Sequence, residues 1–356
     1  MLHPVRVLIV DDSSVVRQAL KNNLNTIPGI EVVGVAPDPF VARDKIMALK
    51  PDVITLDIEM PRMDGLTFLR KLMKFHPVRT IVVSSITQRG CDTAIACLEA
   101  GAFGVVAKPA VAYSVGDMAA EIGRIIKDAA KHPVPEKRPD LDASSGQKLI
   151  APPSLASVET THKVIAMGTS TGGTEALRSV LSVLPRQTPG IVMTQHMPEG
   201  FTATFAARLN EQCEIEVREA KDGDSVLTGL ALLAPGNKHM RLARDGARYI
   251  VRVTDGPRVC RHRPSVEVLF ESTAEHAGRN AMGIIMTGMG NDGAQGLKTL
   301  RDAGAYTVAQ DKDSCVVFGM PREAIELGGA VAVCPLSEIP NQIVDFAAGK
   351  LKAKAA

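Results

Sequence analysis

VRVLIVDD, residues 5–12, and VITLD, residues 53–57, decide how the first third of this chain folds. Each opens with an apolar, β-branched run of the kind that forms a strand buried on both faces in a parallel sheet. Each ends in aspartate: Asp11 and Asp12 close the first, Asp57 the second. In an open parallel α/β sheet the carboxyl ends of the strands line one rim, where ligands bind. Three carboxylates gathered there repel one another and require a counter-charge. Mg²⁺ suits them, because it takes oxygen ligands from one or two carboxylates plus phosphate oxygens and neutralises charge during phosphoryl transfer. One carboxylate is then available to accept a phosphoryl group. Two further strands add polar ends. Residues 80–83 run into Ser84, a hydroxyl able to contact that group, and 103–107 into Lys108, whose ammonium can pair with Asp57 or its phosphate. A lone Asp after a strand is ordinarily a cap or turn residue. Five polar groups at four strand ends are better explained as one site.

Helical patterns at 14–25, 39–49, 64–75, 93–100 and 115–131 alternate with strands at 5–10, 31–35, 53–56, 80–83 and 103–107. This (βα)5 rhythm predicts a parallel sheet covered on both faces, a flavodoxin-like domain over residues 1–131. The segments VLIVDDSSVVRQAL, PDVITLDIEMPRMDGLTFL, IVVSS and GAFGVVAKP resemble the receiver domain of bacterial response regulators. That resemblance implies Asp57 as phosphoryl acceptor, Asp11 and Asp12 with Asp57 as Mg²⁺ ligands, and Ser84 and Lys108 as readers of the phosphate. Receivers usually carry an aromatic switch residue three positions before the lysine. Here that position is Val105, and Phe103 lies two positions earlier on the same face.

The chain has 356 residues, enough for two domains, with 45% apolar and 22% charged residues, ordinary for a globular protein. Aromatics are only 3% and Trp is absent, so stacking platforms for single-stranded nucleic acid are not expected. Residues 1–131 carry 16 basic and 14 acidic groups, and residues 162–356 carry 22 and 21. Neither half has the basic excess of a nucleic-acid-binding domain. Six cysteines show no metal-binding spacing and fit a reducing, cytoplasmic location. Residues 1–10 do not read as a signal peptide, and no apolar stretch approaches the ~20 residues that cross a bilayer. Direct membrane insertion is not expected. Residues 132–161 hold five prolines and four serines without periodicity, the composition of an interdomain linker.

From residue 162 the α/β rhythm resumes and predicts a second doubly wound domain over 162–350. Its strands are expected at 163–167, 191–195, 282–286 and 307–309, and its helices at 172–184, 200–211, 265–276, 293–303 and 322–327. An antiparallel insert is expected from 230–233, 240–244 and 249–253, with turns at Pro235-Gly236 and Asp245-Gly246. Three strand ends carry reactive side chains: Ser170 in GTSTGG, His196 in QHMPEG and Asp292 in TGMGNDG. All three fall on one rim of the sheet. His196 could take the Ser170 proton, and Asp292 could orient the imidazole and stabilise its cation. Gly172 and Gly173 open a helix beside Ser170, where free backbone N–H groups can hold an oxyanion. N–H groups of 288–290, around Met289, are further donors. GTSTGG read alone also fits a phosphate-binding turn, and the order Ser, His, Asp is not that of lipase-type hydrolases.

The segments AMGTSTGGTEAL, QHMPEGFTATFAARLN, LLAPGNKHM, RHRPSVEVLF, IIMTGMGNDGAQGL and PREAIELGG resemble the catalytic domain of the chemotaxis protein-glutamate methylesterases. With the receiver and linker, nearly the whole chain follows that family's layout. The resemblance implies Ser170 as nucleophile, His196 as general base and Asp292 as its orienting partner. It also implies that Met289 contributes to an oxyanion and substrate region, expected to include Thr171, Gly172 and Gly173. His239 and the basic stretch 258–263 either face an acidic substrate helix or are solvated surface. The implied reaction is hydrolysis of glutamate γ-methyl esters, and deamidation of certain glutamines, on the cytoplasmic helices of methyl-accepting chemoreceptors. A chemotaxis histidine kinase is the implied phosphodonor. Hydrolysis itself needs no cofactor. A receiver placed before an enzyme is expected to restrain it until phosphorylated. The rival readings are the same enzyme in a different chemosensory pathway, or a receiver joined to a non-enzymatic binding domain.

Overall fold

The computed structural model describes residues 3–108, 115–131 and 162–351; Pro109 and the expected linker at 132–161 lie outside them. The chain forms two compact units, Met1–Ser145 and Gly146–Ala356.

In the first unit five strands alternate with five helices: β1 (Val5–Val10), α1 (Ser14–Asn25), β2 (Ile30–Ala36), α2 (Pro39–Leu49), β3 (Val53–Asp57), α3 (Gly65–Phe75), β4 (Arg79–Ser84), α4 (Gln88–Glu99), β5 (Gly104–Ala107) and α5 (Val115–Ala129). The strands pair in parallel in the order β2-β1-β3-β4-β5. The order reverses between β1 and β3, so the crevice at the sheet's carboxyl edge opens where Asp11, Asp12 and Asp57 emerge. Side-chain caps fix several helix starts: Ser13 accepts from Val16 N–H, Asp38 from Phe40 and Val41, and Asp64 from Thr67. The fourth helix starts at Gln88, five residues before the expected 93. Thr87 caps it by accepting from Gly90 N–H, a start that the polar run 88–92 conceals from a hydrophobic-periodicity reading.

The second unit is built on a seven-stranded, wholly parallel sheet of order β14-β13-β12-β6-β7-β9-β8. Its elements run β6 (Val164–Thr169), α6 (Gly173–Leu181), β7 (Gly190–Gln195), α7 (Phe201–Gln212), β8 (Glu216–Glu219), β9 (Leu230–Leu233), β10 (His239–Asp245), β11 (Arg248–Thr254), α8 (Val266–His276), β12 (Ala281–Ile285), α9 (Ala294–Asp302), β13 (Tyr306–Gln310), α10 (Met320–Glu326), β14 (Ala332–Cys334) and α11 (Ile339–Ala347). The insert is smaller than expected. Only β10 and β11 form the antiparallel ladder, whereas 230–233 belongs to the parallel sheet between β7 and β8. All four of its side chains are buried, as a strand covered on both faces requires. The hairpin rests on α8, where Leu242 N–H donates to Ser272 Oγ at 3.0 Å. Val266, Leu269 and Phe270 of α8 are fully buried in the core on that side.

The chain enters this sheet at β6 and builds outward on both sides, through β7 in one direction and β12 in the other. The strand order therefore switches beside β6. The three strands that precede Ser170, His196 and Asp292 are the adjacent trio β12, β6 and β7.

Candidate active site

Ser170 follows the last residue of β6, and its N–H donates to Thr287 O at 3.0 Å. Close backbone packing holds the turn. A Cβ on Gly288 would lie 2.8 Å from Ser170 Cβ and 2.3 Å from Met320 Sδ, so only glycine admits this approach. Gly172, at φ 78°, takes the left-handed conformation that lets α6 begin directly beside the serine. Gln195 ties the neighbouring turn in place: its Nε2 donates to Ser170 O and His196 O, and its Oε1 accepts from Thr169 Oγ1.

His196 bridges the other two side chains. Nδ1 is 3.1 Å from Ser170 Oγ, and Nε2 is 2.6 Å from Asp292 Oδ2. The carboxylate accepts, so Nε2 carries the proton and Nδ1 is left with a lone pair facing the serine hydroxyl. Asp292 is 1% exposed. Its Oδ1 accepts from Ser265 Oγ and Glu267 N–H, and its Oδ2 accepts from Val266 N–H as well as from the imidazole. Burial pushes this carboxyl up. The hydrogen bond and charge of His196, with the Ser265 and Val266 donors, outweigh it and hold the group below the usual carboxylate range.

The arrangement joins a hydroxyl, a base with an open lone pair and an ionised carboxylate in one hydrogen-bonded chain, which can activate the hydroxyl for attack on an acyl carbon. The donors nearby divide into two groups. Gly173 N–H donates to Ser170 O, and Gly288 N–H to Val317 O. The N–H groups of Thr171, Gly172 and Met289 have no acceptor among the described residues, as oxyanion donors require. The Thr171 carbonyl is fixed by Thr287 Oγ1 at 2.9 Å.

Several contributors escape sequence reasoning. Ser265 and the first N–H groups of α8 cradle Asp292, foreshadowed only by a serine at a helix start. Glu267 is 7% exposed, accepts from Gly293 N–H, and is pushed up to about 7, chiefly by burial. His262 lies within the basic stretch 258–263, yet its ring stacks on His196 with centroids 3.7 Å apart and planes 5° from parallel. His239 is buried, with Nε2 2.8 Å from Pro257 O, and so supports the loop rather than facing outward. Arg258 and Arg261 are exposed. Arg263 is turned back onto Asn237 Oδ1 and Gly256 O.

In the first unit, ligand atoms of Asp11, Asp12 and Asp57 lie within 4.8 Å of one another. Lys108 Nζ sits 2.7 Å from Asp57 Oδ2 and 3.1 Å from Asp11 Oδ2. Burial pushes Asp57 up to about 6 against the pull of Lys108, with Asp11 adding repulsion. Lys108 is raised in turn, the two carboxylates outweighing its own burial. An all-oxygen set with excess negative charge fits Mg²⁺. Ser84 Oγ donates to Gly90 O at 3.0 Å, toward the start of α4. Phe103 is buried just ahead of β5, and Val105 within β5 is half-buried.

Both units resemble known proteins. The CheB methylesterase family model matches residues 165–343, and the response regulator receiver domain model matches residues 7–116. Protein-glutamate methylesterase/protein-glutamine glutaminase 4 of Anaeromyxobacter dehalogenans is 54% identical over 96% of this chain and 95% of its own length. A relative named protein-glutamate methylesterase/protein-glutamine glutaminase 1, from Geobacter metallireducens, is 52% identical over the same shares. The crystal structure of the Thermotoga maritima CheB methylesterase catalytic domain is similar at 36% identity and TM-score 0.51, covering 52% of this chain and 98% of that one. Among the described residues no helix is long and apolar enough to cross a membrane.

Proposed function

Because the chain belongs to the CheB methylesterase family, with a receiver domain ahead of the esterase domain, we propose that it is a phosphorylation-activated protein-glutamate methylesterase and protein-glutamine deamidase with Ser170 as its nucleophile. The supporting observation is the hydrogen-bonded chain from Ser170 Oγ through His196 to the buried Asp292. Ser170 Oγ attacks the γ-carbonyl carbon of a methylated glutamate while its proton passes to His196 Nδ1. Asp292 stabilises the imidazolium through Nε2–H. The oxyanion of the tetrahedral intermediate is received by the N–H groups of Thr171, Gly172 and Met289, each worth ~10²–10³ in rate. Collapse returns the proton to the departing methoxide, releasing methanol. Water, deprotonated by His196, then frees the glutamate. With a glutamine substrate ammonia leaves instead.

The domains are assigned as receiver 1–131, linker 132–161 and esterase 162–350. Asp57 accepts the phosphoryl group from a chemotaxis histidine kinase. Asp11, Asp12 and Asp57 would hold Mg²⁺, which would supply charge neutralisation for the phosphoryl transfer to Asp57. Lys108 and Ser84 bind the phosphorylated aspartate. The substrates are the cytoplasmic helices of methyl-accepting chemoreceptors. Phosphorylation relieves a restraint on the esterase, and a coupling of ~1–3 kcal/mol corresponds to ~5–150-fold activation. The test is methanol release from methylated receptor membranes, with and without a small-molecule phosphodonor. Ser170→Ala should abolish release while receptor binding persists, and Asp57→Asn should remove the response to the phosphodonor. Methanol release by Ser170→Ala at the wild-type rate would refute the assignment.

A further inference from the structure

We propose that His262 is a positioning residue for the general base: its ring holds the plane of the His196 imidazole while the bond to Ser170 is broken and remade. This rests on the esterase reading above. An imidazole directs its lone pair and its N–H in the plane of the ring, and those of His196 serve Ser170 Oγ and Asp292 Oδ2. They fix where the nitrogens point but leave the ring free to tilt about the line joining its partners. A second ring lying parallel at 3.7 Å against one face removes that tilt. The need is greatest in the acyl-enzyme. There Ser170 Oγ has become an ester oxygen without a proton to donate, and Nδ1 must meet an incoming water.

The backbone carrying His262 supports a dedicated role. Val259 and His262 exchange two backbone hydrogen bonds, 3.0 and 2.8 Å long, across a two-residue turn. Its central residues are Cys260 at φ 48° and Arg261 at φ 71°. Consecutive left-handed residues form the turn that sequences normally fill with Asn-Gly; here both bear a Cβ. Unfavourable backbone of this kind persists where its surroundings hold it, and it gathers at active sites. The loop is fastened at its base by Arg263 on Asn237 Oδ1 and Gly256 O, and by His239 on Pro257 O.

The test compares the full-length chain carrying His262→Ala, His262→Phe, His262→Leu or Ser170→Ala in methanol release from methylated receptor membranes. His262→Ala is expected to lower kcat ~2–12-fold, the range an aromatic pair sustains, with KM unchanged. His262→Phe restores the ring face and should return kcat to within about twofold of wild type; His262→Leu, similar in bulk without that face, should not. The downfield proton resonance of the His196–Asp292 hydrogen bond should broaden in the Ala and Leu chains and stay sharp in the Phe chain. Should the Ala chain unfold, the Phe and Leu chains decide the same point. Equal kcat for Phe and Leu, or a wild-type kcat for Ala, overturns the proposal. An inactive Ser170→Ala chain beside such a result leaves the esterase reading standing, whereas an active one removes its basis.

Discussion

Replacing Asp292 by Asn tests the catalytic chain where it is most fully constrained. The carboxylate accepts four hydrogen bonds, from His196 Nε2, Ser265 Oγ, Val266 N–H and Glu267 N–H. An amide has only one oxygen, so its NH2 must displace an acceptor. With the oxygen kept toward Ser265 and Glu267, the NH2 replaces Oδ2 and faces two donors, Val266 N–H and His196 Nε2–H. The imidazole can answer only by moving its proton to Nδ1. That nitrogen faces Ser170 and is then no longer a base. The same change of carboxylate to amide in a serine-protease triad lowers kcat by about 10⁴, equivalent to roughly 5.4 kcal/mol of lost transition-state stabilisation. Asp292→Asn should therefore lose about 10⁴ in kcat for methanol release with KM little changed. The displaced Val266 donor should also cost about 1–3 kcal/mol of stability, visible in calorimetry as a drop of a few degrees in the catalytic-domain transition. A folded Asp292→Asn enzyme with kcat within tenfold of wild type would refute the orienting role.

Two further predictions concern pH. Glu267 is pushed from an ordinary 4.5 to about 7, so the folded state favours its protonated form. The stability this confers is complete below about 4.5 and is lost as pH rises through 7. Glu267→Gln removes the dependence and should be more stable than wild type by on the order of 3 kcal/mol at pH 8, with no difference near pH 4.5; an advantage equal at both pH values would defeat this account. Asp57, at about 6, must be ionised to bind a cation. Mg²⁺ affinity of the full chain, measured by titration calorimetry, should fall roughly tenfold from pH 7.5 to pH 5 and vanish in Asp12→Asn/Asp57→Asn. Affinity independent of pH would contradict the buried setting of Asp57.

Much of this molecule is legible in the sequence because its strands are apolar runs that end in chemistry. Asp11 and Asp57 stand directly after apolar runs, Ser170 and His196 follow theirs across one or two residues, and Asp292 follows across residues 288–291; the adjacency of β12, β6 and β7 then unites three of them. The misses have physical causes. β8 and β14 are edge strands of four and three residues with mostly half-exposed or exposed side chains, too short to show a period. The tetrad 230–233 sits between turns, so hydropathy alone fits a hairpin as well as a buried parallel strand; only the neighbouring β7 and β8 decide. The support of Asp292 by Ser265 and Glu267 joins residues more than twenty positions apart, and no spacing rule encodes such contacts. His262 read as one more polar residue among arginines, because stacking leaves no mark on hydropathy.

The imidazole of His196 is mounted the opposite way round from the chymotrypsin arrangement, in which Nε2 meets the serine. Here the nitrogen nearer its own main chain does so. A haloketone analogue of the substrate, captured by the base during an attempted turnover, would leave its label on Nδ1. Fragment masses could not tell the two alkyl-histidine isomers apart. Chromatography against synthetic standards could, and it would report which edge of the ring handles the proton.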